Sequence, residues 1–140
     1  MTEIYYLNGD TLPTIPTPHD CVIDKVDIDE EYVVFTFEQN INYHDSIQAI
    51  KPNAKSIVMK FHLADSCLDI YERRKPNRIF AKNGYYRAID TAAFLKIAES
   101  DCRLEYLYHY VAYQSLIVEL CAKTTIRLEL TTDRVEFYWT

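Results

Sequence analysis

Residues 19–37, HDCVIDKVDIDEEYVVFTF, decide the fold class. They read as two strands joined by an acidic turn. Val33, Phe35 and Phe37 alternate with Tyr32, Val34 and Thr36, the period-2 pattern of a strand with one buried face. Asp27, Asp29, Glu30 and Glu31 are too charged for burial and mark a solvated hairpin tip. In the first strand Val22, Val26 and Ile28 share a parity with Asp24, while Ile23 has the other. A bulge near Asp24 and Lys25 reconciles the two runs; the alternative is a buried carboxylate that needs a partner.

Outward from this hairpin, alternation recurs. Residues 3–7 can form a short edge strand, ended by the turn signal Asn8-Gly9-Asp10. Pro13, Pro16 and Pro18 then impose an extended path, so residues 11–18 read as a connector over the surface. Residues 38–55 lose the pattern, apart from a short helical turn at 45–50 with Asp45 as its cap. Strand patterns return at 56–63, 67–71 and 79–81, with the basic segment Glu72-Arg73-Arg74-Lys75-Pro76-Asn77-Arg78 between the last two. Asn83-Gly84 predicts a type I′ hairpin leading into residues 85–89. Phe94, Ile97 and Ala98 at i, i+3, i+4, behind Asp90 or Thr91 as cap, predict a helix over 91–99. Residues 103–113, 116–122, 125–131 and 135–140 read as a closing meander, with Ile126, Leu128 and Leu130 on its buried face. The expectation is a single, mainly β domain over residues 1–140. It would be an antiparallel sandwich, half-barrel or curved sheet with one short helix.

A chain of 140 residues with 49% hydrophobic and 26% charged residues has ordinary globular composition. No apolar run approaches the roughly 18 residues of a membrane span, and the first eighteen residues lack the basic and apolar regions of a secretory signal. Four scattered cysteines, Cys21, Cys67, Cys102 and Cys121, without a C-x-x-C pair, read as reduced, structural thiols of a cytoplasmic protein. Charge is uneven. Residues 1–50 hold one basic and ten acidic residues, residues 51–87 nine and three, residues 88–140 five and eight. A net charge of −6 with one short basic run argues against nucleic acid as partner.

Four kinds of site merit attention. His19-Asp20 and His44-Asp45 are repeated His-Asp dipeptides; if their loops met, they would offer imidazole and carboxylate ligands for zinc or non-haem iron. The bland reading is Asx-turns with surface histidines. Cys21 with His44 or His109 is a conceivable nucleophile pair, although cysteine among strand residues is usually inert. Tyr106, Tyr108 and Tyr110 alternate along one strand as an aromatic platform for a partner, or as rings covering the core. His109 reads as a hydrogen-bonded, semi-buried histidine. The acidic tip at Asp27, Asp29, Glu30 and Glu31 could steer a basic partner. Phosphate loops, nucleophile elbows and zinc spacings are missing from the sequence, and no cofactor is expected.

Residues 18–37 resemble the opening of many small bacterial proteins, including immunity proteins of toxin systems. In these an H-D-[CAS]-x-[IV] strand precedes an acidic turn and a hydrophobic strand. The likeness covers 20 of the 140 residues and implies no functional residue. The leading expectation is therefore a non-enzymatic cytoplasmic domain that binds another protein, of immunity type. A small-ligand or lipid-binding β-barrel and a metal-dependent enzyme at the His-Asp loops are the alternatives.

Overall fold

The computed structural model describes residues 1–75, 84–100 and 103–140. The elements are β1 (Thr2–Tyr6), β2 (Ile23–Ile28), β3 (Tyr32–Phe37), a 3-10 turn at Ile41–Tyr43, α1 (Asp45–Gln48), β4 (Ile57–Arg74), β5 (Tyr85–Ile89), α2 (Thr91–Glu99), β6 (Glu105–Ala112), β7 (Ser115–Cys121) and β8 (Thr125–Trp139). All pairings are antiparallel and build one open sheet in the order β2-β3-β4-β8-β7-β6. The fold of the described residues is thus mainly antiparallel β, in a single sheet, with α2 as its one helix longer than a single turn. One bridge, Val22 to Glu105, ties the two ends of that order together at a corner.

Two long strands form the spine. The first half of β4 lies between β3 and β8, and its second half pairs with β8 and β5. β8 in turn pairs with β1 along residues 134–138 and with β7 along residues 125–131. Both were expected as pairs of shorter strands. In β4 the apparent break at Ala64, Asp65 and Ser66 is an outward loop of extra residues. Leu63 faces Thr132 and Leu68 faces Leu130, so the partner strand runs on unbroken. Asp65 and Ser66 take left-handed backbone angles (φ 52° and 57°) to make this detour, and the Ser66 hydroxyl donates to the Glu30 carbonyl at 2.9 Å. In β8, Thr132 and Asp133 stay within the strand, and the register with β4 shifts by one residue between Val135 and Thr132.

The opening hairpin forms as read. Ile23 pairs with Phe37 and Lys25 with Thr36, so Asp24 is the extra residue of a bulge, and its side chain is exposed. That one residue returns Ile23, Val26 and Ile28 to a common face. Val33, Phe35 and Phe37 are fully buried, with Phe35 edge-on to Phe61 at 5.2 Å.

α2 spans the expected residues. Asp90 caps it, its carboxylate accepting from Ala93 N at 2.7 Å, and Phe94 enters the core beside β2. α1 differs from expectation. His44 is its N-cap residue and no side chain caps it, whereas Asp45 lies in the first turn, where its charge suits the helix dipole. Cys67, beside the detour in β4, is exposed, and Cys121, the last residue of β7, is half-buried. The expected strand at 79–81, the tip of the basic segment and the Asn83 side of the predicted hairpin fall outside the described residues.

Candidate functional site

At the tip of the opening hairpin, the Asp29 carboxylate accepts from the backbone N–H of Glu31 (2.7 Å) and Tyr32 (2.8 Å). Asp29 is therefore the turn's internal brace. Asp27, Glu30 and Glu31 are exposed, and among the described residues only Asp27 has an ion-pair partner, Lys25 at 3.5 Å.

Behind the tip lies the outer sheet face. Register places Asp27, Val34, Lys60, Glu136 and Ile4 in one row across five strands. A cleft of about 500 Å³ opens here, walled by Asp27, Tyr32, Val34, Lys60 and Tyr138. The Lys60 ammonium sits 3.9 Å from the Tyr32 ring centre. Glu136 accepts from His62 (3.0 Å) and Tyr138 (2.8 Å). Burial alone would raise the Glu136 pKa, but these two bonds outweigh it and the net shift is downward. Lys60, His62, Glu136 and Tyr138 did not stand out in the sequence. Their signal was only an outward parity, and cross-strand register is needed to gather them.

The tyrosine strand departs from expectation. Tyr106 pairs with Leu120 and Tyr108 with Glu119, so one extra residue at Leu107 shifts the alternation. Tyr106 turns inward and is completely buried, while Tyr108 and Tyr110 remain about half exposed (51% and 53%). The proposed platform therefore loses Tyr106 and keeps two rings, packed edge to face at 5.3 Å. The same shift sends His109 inward, 5% exposed. Its Nε2–H donates to the Ile15 carbonyl at 3.2 Å, which leaves Nδ1 to accept from the Tyr106 hydroxyl at 2.7 Å. Burial holds the His109 pKa below the usual histidine value and pushes that of Tyr106 well above 10. This buried chain fastens the proline connector to β6.

The two His-Asp loops do meet: the Ser46 hydroxyl donates to the His19 carbonyl at 3.0 Å. Their imidazoles nevertheless take separate partners. His19 Nδ1–H donates to the Leu107 carbonyl (2.6 Å), and His44 Nε2 lies 2.8 Å from the same Glu38 oxygen that accepts from Tyr43 (2.6 Å). Asp20 lies 3.4 Å from His19 and takes a left-handed backbone (φ 66°), as a turn residue does. Asp45 sits in the first turn of α1. Among the described residues no three His, Cys, Asp or Glu side chains are grouped to hold a metal ion.

Cys21 is buried between these loops. Burial first, then the nearby Glu38 charge, pushes its thiol up to about 12, the opposite of an activated nucleophile. Native protein treated with iodoacetamide should therefore be alkylated at exposed Cys67 and not at Cys21, which reacts only after unfolding. Peptide mass mapping reads this directly, and early labelling of Cys21 would refute the assignment.

Comparison of the chain with family models, curated proteins and solved structures finds no match.

Proposed function

We propose that this protein is a non-catalytic domain of the cytoplasm that binds another protein, in the manner of an immunity protein, through the acidic hairpin and the adjoining outer sheet face. The observation that carries this reading is the division of labour among its polar groups. The histidines and the buried cysteine that could do chemistry are each held by internal partners. Asp27, Glu30 and Glu31 project into water beside an open aromatic cleft. Such a surface speeds and orients encounter with a basic partner more than it tightens the complex.

The test uses the tip residues the turn does not need. Asp27→Lys, Glu30→Lys and Glu31→Lys, with Asp29 retained, preserve the hairpin and reverse its charge. Wild type should retain from lysate a partner that the triple variant loses, and association with that partner should slow at least tenfold, with its salt dependence removed. Equal capture by both baits, or a rate indifferent to salt, refutes the hairpin as the contact. The product of the neighbouring gene is the first partner to try, because immunity proteins are encoded beside their toxins.

A further inference from the structure

We propose that the free edge of β6 from Tyr108 to Ala112, with Tyr113 in the turn beyond it, is an addition site for an extended, uncharged segment of a partner protein, which joins the sheet as one more strand. This rests on the protein-binding reading and assigns it a second, chemically different contact.

β6 ends the strand order and, among the described residues, pairs in a ladder only with β7. The start of its other edge is already covered: Tyr106 exchanges backbone hydrogen bonds with Asp20 and Cys21, and the Leu107 carbonyl accepts from His19. Beyond that point, among the described residues, no backbone hydrogen bond outside the β6–β7 ladder reaches residues 108–113. Tyr106 directs its backbone groups outward. The extra residue at Leu107 transfers that outward set to His109 and Val111.

The neighbouring connector cannot supply the missing strand. Pro13 and Pro16 have no N–H, and the Ile15 carbonyl is held by the His109 side chain. It stands instead as a wall, leaving a cleft of about 350 Å³ between Pro13, Ile15 and Thr17 on one side and Tyr108, Tyr110 and Val111 on the other.

The cleft's chemistry identifies its occupant. Residues 11–18 and 106–118 contain no Asp, Glu, Lys or Arg, so the edge lacks the charges that usually repel added strands. A charged side chain entering here would lose water and gain no counter-charge. Backbone bonds to His109 and Val111 would supply affinity, and the rings of Tyr108, Tyr110 and Tyr113, all at least half exposed, would supply contact area at low entropic cost.

The probe is an acetylated, amidated heptapeptide of alternating threonine and valine, with two analogues: one N-methylated at alternate residues, one carrying lysine in place of two threonines. Peptide binding should saturate by about 1 mM and slow amide exchange at His109 and Val111. N-methylation should weaken it at least tenfold, the lysine analogue should bind more weakly, and added salt should change the affinity of the neutral peptide less than about twofold. Val111→Pro, which removes one outward N–H, should abolish binding; Tyr110→Ala, a milder change, should weaken it severalfold. Equal binding of the N-methylated peptide, no saturation, protection mapped elsewhere, or a dimer that Tyr110→Ala dissolves would each overturn the proposal. If the charge-reversed hairpin leaves partner capture intact while the peptide still binds, the acidic contact fails and the edge stands. If a captured partner depends on the hairpin and leaves residues 108–113 unprotected, the edge fails and the hairpin stands.

Discussion

Phe35→Ala should lower the free energy of unfolding by about 3–5 kcal/mol, measured by urea denaturation. Phe35 is completely buried and touches Phe61 and Tyr106 edge-on, at 5.2 Å and 6.3 Å between ring centres. Its loss removes the transfer energy of a phenyl ring and leaves a void that rigid strands on three sides cannot fill. A domain of this kind holds about 5–15 kcal/mol in total, so the variant should be folded only marginally at 37 °C. Val34→Ala, one residue along and on the outer face, should cost less than about 1 kcal/mol. Two variants of equal stability would mean that the opening hairpin is not part of the core.

Acidification supplies the second large effect. His109 is buried with its pKa depressed below 6.5, mainly by desolvation of the charged form. Below about pH 6.5 the unfolded chain takes up a proton that the folded one refuses, so stability falls as pH drops from that value towards the folded pKa, and is complete above it. Each unit of depression is worth about 1.4 kcal/mol. The lowered carboxylates, Glu3 and Glu136, act in a separate window: their contribution is present above about 4.5 and lost in stronger acid. Urea titrations between pH 7.5 and 5 should therefore show a decline that His109→Phe flattens, although that variant is less stable at pH 7.5 because Ile15 O and the Tyr106 hydroxyl lose their partner. A His109→Phe protein with an undiminished slope would refute His109 as the source of the decline.

Local pattern carried much of this fold. The 2-residue period in Val33, Phe35 and Phe37 placed β3, the parity conflict at Asp24 located the bulge in β2, and the i, i+3, i+4 spacing after Asp90 placed the helix to the residue. Such features depend on neighbours in sequence, where each side chain's direction follows from the last. The failures share a cause as well. Ala64-Asp65-Ser66 looks like a turn, and Thr132-Asp133 like a strand end, until a partner strand runs straight past them. Tyr106, Tyr108 and Tyr110 look like one face until a single extra residue opposite Glu119 and Leu120 parts them. Irregularities that arise from pairing are invisible in one strand alone.

The candidate sites divide along the same line. The acidic tip was legible, because four carboxylates in five residues must reach water wherever the chain goes; that Asp29 braces the turn while its neighbours stay free was not. The meeting of the two His-Asp loops, with their imidazoles held apart, depends on backbone segments 25 residues distant in sequence. Hydrophobic period and capping chemistry are local, and they suffice to prescribe an antiparallel β domain with an acidic hairpin and a short capped helix. Register between strands, which no single strand reveals, places Tyr106 and His109 inside, brings Lys60 and Tyr138 into a cleft with the hairpin, and, among the described residues, leaves the edge of β6 beyond Leu107 without backbone partners outside the β7 ladder.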